Sequence, residues 1–522
     1  MNHMRFSRRE VMQAAAGVAG LSVLGRSALT FGQSQPSRPN VVFIYADDQP
    51  LEHLGCYGGN IPTPHIDGLA RSGMRFARFY VSSPVCSPSR YTVLSGRYAS
   101  RSKKLHGSCP PGGPVNIGWQ PGVYGEAGTL PLLLKQTGYV TGCVGKWHQG
   151  GPGPLPGFDD DADPASPAVQ DLLGKNYAAH VAAVKQCGFD YADGIYIQNT
   201  GSPSAATPNW LPKPWRVHNQ EWVTAAALEF IDRHHASPFF LYMATTLTHE
   251  PSAQRSLETG DPRATPAGLL EKAPDVQRPR KQVLEAAAKA GVTRNDIGAI
   301  WLDDAVGAVL TRLKALGVAD NTIVIYASDN GRRGKFTCYD AGARLPCIVR
   351  WPGRIKAGSV SDALIASIDF APTLYEACGI STPKDTVVDG KSFLAELTGR
   401  GTYRRTSLFM EIACTRAVVS DQGLKYIATR FAPDIQEKAD AGAKFTHNGL
   451  ELDKSHHTYN AEKDFPGYFD KDQLYDLNND PQEQNDLAAK ERQVARLAGM
   501  KELLREYSRS LPHSFGEFSP ER

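Results

Sequence analysis

The chain has no charge excess of either sign: Lys and Arg number 57 against 54 Asp and Glu, a net +3 over 522 residues. That balance gives no electrostatic footprint for nucleic acid. Its nine cysteines form no Cys-x-x-Cys pair and show no zinc-like spacing, which removes zinc ribbons and dithiol redox motifs from consideration. An odd count cannot pair completely; Cys86 is the one set aside for chemistry, and the other eight are open to pairing or simple burial. No apolar run reaches the length of a membrane span, since the mild run Ala14 to Leu24 is too short. No internal repeat is present. What remains is a chain long enough to bury a large core and to hold two subdomains.

Among the features that are present, buried strands with polar ends come first. Asn40 to Ala46 is a continuous apolar run, as expected of a buried parallel strand, and it ends in Asp47-Asp48. Pro238 to Ala244 runs on to Thr248-His249-Glu250, and Thr322 to Ala327 ends in Ser328-Asp329-Asn330-Gly331. Tyr139 to Val144 is followed by Gly145-Lys146-Trp147-His148. Ligands of open α/β sheets bind beyond the carboxyl ends of strands, so these polar ends converge on one face. Asp47, Asp48, Asp329 and Asn330 make an all-oxygen set for a hard cation. Ca²⁺ is expected ahead of Mg²⁺, and the lack of a His/Cys cluster speaks against zinc. In extended chain Lys146 and His148 point the same way, a fixed cation beside a proton shuttle.

Ser87 reads as an N-cap and Pro88 as a first helical residue, with Ser95-Gly96 closing the helix. Cys86 then lies just before a helix N-terminus, where negative charge is favoured, with Arg90 four residues on. Thr63 to Ala70 reads as a capped helix, Thr129 to Gln136 as a short one, and Ile297 to Leu316 as a long amphipathic one. The region from Gly150 to Trp222 reads as the least regular of the chain after its N-terminus. Trp210 and Trp215 read as loop anchors ahead of sugar-stacking groups, and Trp222 as core. The segment Ser252 to Arg294, with its arginines, is left open between a basic lid and a solvated face. His456-His457 reads as a solvated loop tract. Beyond about Gly399, short alternating strands precede a charged helix from about Leu487 to Tyr507.

Cys86-Ser87-Pro88-Ser89-Arg90 with Ser95-Gly96-Arg97 resembles the signature of the type I, formylglycine-dependent sulfatases of the alkaline phosphatase superfamily. Gly138-Tyr139 through Gly145-Lys146-Trp147-His148 resembles the second signature of that family. Lys335 stands in Gly334-Lys335-Phe336-Thr337-Cys338-Tyr339-Asp340-Ala341-Gly342-Ala343-Arg344, which resembles a third segment; Asp340 and Ala341 replace the commoner Glu and Gly. Leu474 to Glu483 resembles the carboxyl-terminal segment of the family. The resemblance implies an alkaline-phosphatase-like mixed sheet sandwiched by helices, with a smaller carboxyl-terminal subdomain containing an antiparallel sheet. It places the catalytic domain at 38–400 and the subdomain at 401–522.

The resemblance further implies hydrolysis of an organic sulfate ester, a sulfated small molecule or polysaccharide, after Cys86 has been oxidised to formylglycine. The maturing partner is a formylglycine-generating or anaerobic enzyme. Catalytic roles fall on Cys86, Arg90, Lys146, His148, His249 and Lys335, and metal ligation on Asp47, Asp48, Cys86, Asp329 and Asn330. By the same resemblance His148 serves the residue-86 nucleophile as base, His249 and Lys146 assist the leaving oxygen, and Arg90 orients the nucleophile. Ser7-Arg8-Arg9-Glu10-Val11-Met12-Gln13 resembles a twin-arginine signal over residues 1–33, which implies export to the periplasm or beyond. Two other readings stay open: a phosphodiesterase or phosphonate monoester hydrolase on the same fold, and an exported glycan-binding pseudo-enzyme. Aryl sulfate against aryl phosphodiester separates the first; a lost site residue would have marked the second.

Overall fold

The computed structural model describes residues 38–151, 153–200, 209–452 and 458–519. The twin-arginine stretch and His456-His457 lie outside the described residues. The first strand, Asn40–Ala46, is buried along its whole length. Its side chains alternate between two cores: Val41, Phe43 and Tyr45 enter one, while Val42, Ile44 and Ala46 enter the other. An unbroken apolar run is what a strand covered on both faces requires.

That strand is central in an eight-stranded mixed sheet. It pairs in parallel with Thr322–Ser328 on one side and with Phe239–Ala244 on the other. Val140–Lys146 and Tyr191–Tyr196 continue the parallel run outward. Beyond Thr322–Ser328 the sheet turns antiparallel through Cys347–Arg350 and Met74–Phe76, and Ser359–Ser361 closes that edge. Helices Cys86–Ser95, Leu130–Gln136 and Phe370–Ala377 pack on one face. Pro64–Ser72, Gln220–His234 and Ile297–Ala315 pack on the other.

Several local expectations are corrected. The helix at the Cys-Ser-Pro-Ser-Arg segment starts two residues early: Cys86 is its first residue and Val85 its cap, so Ser87 caps nothing and Pro88 sits at the third position. Pro88 still costs no hydrogen bond there, because the first-turn N–H groups have no partner within the helix. The helix after Thr63 begins at Pro64, and its first N–H groups are capped from a distance. Asp303 accepts from the amides of His65 (3.0 Å) and Ile66 (2.8 Å). The region expected to be irregular holds a 20-residue helix, Pro167–Gln186, and the strand Tyr191–Tyr196. Ser166 caps that helix through the Val169 amide and Pro167 opens it. The arginines of 252–294 form no lid cluster: Arg280 is bound to buried Glu221 (2.9 Å) and Arg278 to Asp304 (2.8 Å).

The last part of the chain builds a four-stranded antiparallel sheet, Ser407–Ile412, Thr415–Ser420, Leu424–Thr429 and Asp472–Asp476. The final helix runs Val494–Arg509, starting later than the charge pattern suggested. Fully buried Lys425 of this sheet places its ammonium 2.8 Å from Asp340 and 2.8 Å from Glu483. Asp340 belongs to the segment that carries Lys335, so one cation ties the small sheet to the large one. Lys425→Met should therefore leave two buried carboxylates facing each other and cost about 3–5 kcal/mol, read as a lowered urea midpoint.

Candidate active site

Ala46 and Ser328 are register partners in adjacent parallel strands, so the residues that follow them, Asp47 and Asp329, emerge side by side. Asp48 takes a left-handed conformation (φ +57°), and its N–H donates to Asp329 Oδ1 at 3.1 Å. The oxygens of Asp47, Asp48 and Asp329 and the sulfur of Cys86 all lie within 4.8 Å of one another. The Cys86 thiol faces Asp47 Oδ1 at 3.4 Å. All four are buried. Asn330 bonds through its amide nitrogen to Asp48, while its Oδ1 is buried and has no hydrogen-bond partner among the described residues.

Three cations answer the three carboxylates. Lys146 Nζ contacts Asp47 Oδ2. Its approach depends on Gly145: the ladder shifts register between Val144 and Gly145, and Gly145 has φ +86°. A β-carbon there would sit 1.7 Å from the Ala244 carbonyl oxygen, so only glycine allows the bulge that re-aims Lys146. Lys335 Nζ lies 2.7 Å from Asp48 Oδ1. Arg90, one helical turn after Cys86, donates to Asp329 Oδ2 (2.7 Å) and to the Lys146 carbonyl (3.2 Å). It engages Asp329 rather than the thiol.

The two histidines flank this cluster. His249 Nε2 lies 3.6 Å from Asp48 Oδ2 and 3.0 Å from Asn199 Nδ2, while Nδ1 faces the Glu250 carbonyl at 2.8 Å. A carbonyl only accepts, so Nδ1 carries the ring proton and Nε2 is the atom turned to the site. His148 has φ +50° and leaves Nδ1 buried without a hydrogen-bond partner among the described residues. That positive φ replaces the extended Lys146–His148 geometry read from the sequence.

The charges shift one another strongly. Burial pushes the Cys86 thiol up to about 12, and Asp47 beside it adds to this. Burial and repulsion by Asp47 raise Asp329 to about 7. Burial opposes ionisation of Asp47 and Asp48, but Lys146 and Lys335 respectively hold them below the ordinary carboxylate value. Burial and then Lys335 lower His249 to about 4; burial and then Lys146 lower His148.

The structure thus brings together every catalytic and ligand residue singled out from the sequence. It adds Asn199, on the loop after Tyr191–Tyr196, and Gln149, whose Nε2 donates to the Ser87 carbonyl at 2.7 Å. Asn199 follows a parallel strand as Asp47 does, so the strand-end rule would have found it had that strand been recognised. The donor set fits a hard divalent cation: three carboxylates, plus an amide oxygen that has no hydrogen-bond partner among the described residues. Without such an ion, three carboxylates balance three cations; with it, the site becomes net positive and suited to an anion.

The family model described as Sulfatase matches residues 39–380. The chain is 28% identical to the N-acetylgalactosamine-6-O-sulfatase of Bacteroides thetaiotaomicron, over 92% of this chain and 95% of that one. It is 31% identical to human arylsulfatase A, over 73% and 72%. Among solved structures it is similar to a Bacteroides thetaiotaomicron 6S-sulfatase from work on glycosaminoglycan metabolism, with TM-score 0.60, 25% identity, and coverage of 90% of this chain and 99% of that one. A second, in complex with its substrate D-glucosamine-2-N,6-O-disulfate, shares the fold at TM-score 0.59 and 20% identity, covering 90% and 98%.

Proposed function

The chain belongs to the sulfatase family and is a sulfuric ester hydrolase, and from that premise we propose that it hydrolyses a carbohydrate sulfate at the cluster of Cys86, Asp47, Asp48, Asp329 and Asn330. The observation that carries the assignment is the convergence of three carboxylates and the thiol within 4.8 Å beside an amide oxygen with no hydrogen-bond partner among the described residues. Carbohydrate is the substrate class because a relative matched along 92% of this chain carries a sugar-sulfatase name, as do others matched along about three quarters of it. Formylglycine at position 86, formed by a maturing enzyme, supplies a hydrated aldehyde as nucleophile. Asp47, Asp48, Asp329 and Asn330 would hold a Ca²⁺ ion, which would supply polarisation of the sulfuryl oxygens.

The protein's own residues do the rest. Lys146 and Lys335 bring fixed positive charge to the sulfate, which is where negative charge moves as the S–O bond breaks. Arg90 braces Asp329 and the Lys146 carbonyl, so that one guanidinium holds both the carboxylates and the lysine in place. His148, with Nδ1 buried and uncommitted among the described residues, serves residue 86 as the base in this reading. His249 presents Nε2 to the leaving oxygen while Nδ1–H is held by the Glu250 carbonyl, so the ring acts as the acid once it carries a second proton on Nε2. The 38–400 segment is read as the catalytic domain and 401–522 as a subdomain. The twin-arginine sequence assigns the protein to export; among the described residues no helix is long and apolar enough to cross a membrane.

The test is sulfate release from a panel of sulfated mono- and oligosaccharides, alongside 4-nitrophenyl sulfate and an aryl phosphodiester, by formylglycine-bearing protein. Turnover of the phosphodiester alone would remove the sulfatase assignment; turnover of 4-nitrophenyl sulfate with no sugar sulfate would remove the carbohydrate one. His249→Ala gives the roles a sharper reading. It should lose most activity on sugar sulfates and least on 4-nitrophenyl sulfate, whose leaving group needs little proton assistance. Equal losses on both would make His249 a sulfate-binding or shaping residue instead.

A further inference from the structure

We propose that Trp119 is a sugar-stacking platform beside the active centre that binds the ring next to the sulfated residue of an oligosaccharide; this deepens the carbohydrate reading above and rests on it. Trp119 is 46% exposed, whereas Trp147, Trp215, Trp222 and Trp301 are buried. A lone exposed indole would carry little weight on a loose loop, but this one is pinned. Just before it, Ile117 and Ala413 exchange backbone hydrogen bonds of 3.0 and 2.8 Å. The Gly118 amide donates to Gln120 Oε1 (2.8 Å), and Asn116 Nδ2 to the Asn448 carbonyl (3.0 Å).

The backing of the indole comes from the active site itself. Trp119 packs on Phe336 with ring centroids 4.8 Å apart. Phe336 directly follows Lys335, the lysine 2.7 Å from Asp48, and adopts φ +67°. Its amide donates to the Pro84 carbonyl (3.0 Å), two residues before Cys86. Phe336 is itself buried, so its ring serves as a floor and Trp119 as the accessible surface. One ring contact and one step along the chain thus link the indole to the site lysine, which is the neighbourhood where the ring next to a bound sulfated residue would lie. A half-exposed aromatic backed by the residue next to a site lysine matches a pyranose, whose C–H face is apolar and whose rim is polar.

Trp119→Ala and Trp119→Phe, compared on 4-nitrophenyl sulfate and on the oligosaccharide sulfate best turned over in the panel, test the platform. We expect Trp119→Ala to lower kcat/KM on the oligosaccharide about tenfold, the worth of a stacked aromatic face, mostly through KM. Trp119→Phe should restore most of it, and 4-nitrophenyl sulfate should stay within about twofold. Equal losses on both substrates would overturn the proposal, showing that Trp119 acts through Phe336 on Lys335. No loss on either would overturn it too. A wild-type enzyme that cleaves 4-nitrophenyl sulfate and the sulfated monosaccharides but no oligosaccharide would overturn the platform while leaving the carbohydrate reading standing.

Discussion

Cys86→Ala is expected to fold like the wild type and to show no measurable sulfate release, a loss of about 10⁴-fold or more. The expectation follows from where Cys86 sits and what its thiol is. It is the first residue of a fully buried helix, a position where Ala is an excellent helix former. Removing one sulfur from it costs only about 1 kcal/mol of packing. Circular dichroism and the thermal midpoint should therefore change little. The thiol itself is a poor nucleophile: pushed up to about 12, it is protonated at neutral pH and lies against a carboxylate. Catalysis through this atom as a thiolate would need the opposite surroundings. Peptide mass spectrometry of active protein should show the aldehyde at residue 86, and full activity from protein carrying an unmodified thiol would sink the covalent scheme.

The parts of the site legible in the sequence are those fixed by short-range rules. Asp47, Asp329 and Lys146 each end an apolar strand, and parallel pairing then carries them to one edge whatever the loops do. Arg90 lies one turn after Cys86, so a helix through that segment was enough to bring the two together. Lys335 lies on an irregular segment, where no periodicity applies, and only the family resemblance marked it; His249 was also marked by the strand that ends before it. Asn199 belongs to the same class as Asp47 by position, but the strand before it, Tyr191–Tyr196, carries Asp193 and Gly194 and does not read as an apolar run.

What was illegible depended on partners far away in sequence. The helix Pro167–Gln186 was hidden by the Pro- and Gly-rich stretches on either side, although Ser166 and Pro167 are an ordinary start signal. Asp303 as the cap of a helix more than two hundred residues earlier has no local signature at all. The arginines of 252–294 read as a charged surface because Glu221 and Asp304, their buried partners, stand in other helices. The two-residue displacement of the Cys86 helix has a different cause. Ser87 has the right chemistry for a cap, but Val85 already holds the extended conformation that a cap needs, with φ −158° and ψ 155°.

Asp329→Asn should lose bound metal and turnover together, and it separates ligation from packing better than alanine does. The substitution preserves volume and one oxygen but removes one of three negative charges from the cation set. It also replaces an oxygen that accepts from Arg90 (2.7 Å) or from the Asp48 amide (3.1 Å) by an NH₂ group, which sets donor against donor. Arg90 then stays buried without its closest counter-ion, and loss of one partner from a buried pair costs about 3–5 kcal/mol. Stability alone could therefore lower activity, so the comparison is with wild type stripped by a chelator. Chelated wild type should lose turnover and regain it when Ca²⁺ is returned, whereas Asp329→Asn should regain little even in excess Ca²⁺ at a temperature where both are folded. Elemental analysis should find about one Ca²⁺ per wild-type chain and far less in the variant. The all-oxygen donor set predicts this, because a hard ion with flexible coordination tolerates carboxylates and an amide oxygen where zinc would seek nitrogen or sulfur. Zinc in the active protein, or Asp329→Asn with full metal content and full turnover, would refute the assignment; Mg²⁺ in place of Ca²⁺ would leave the ligand set standing and correct only the ion.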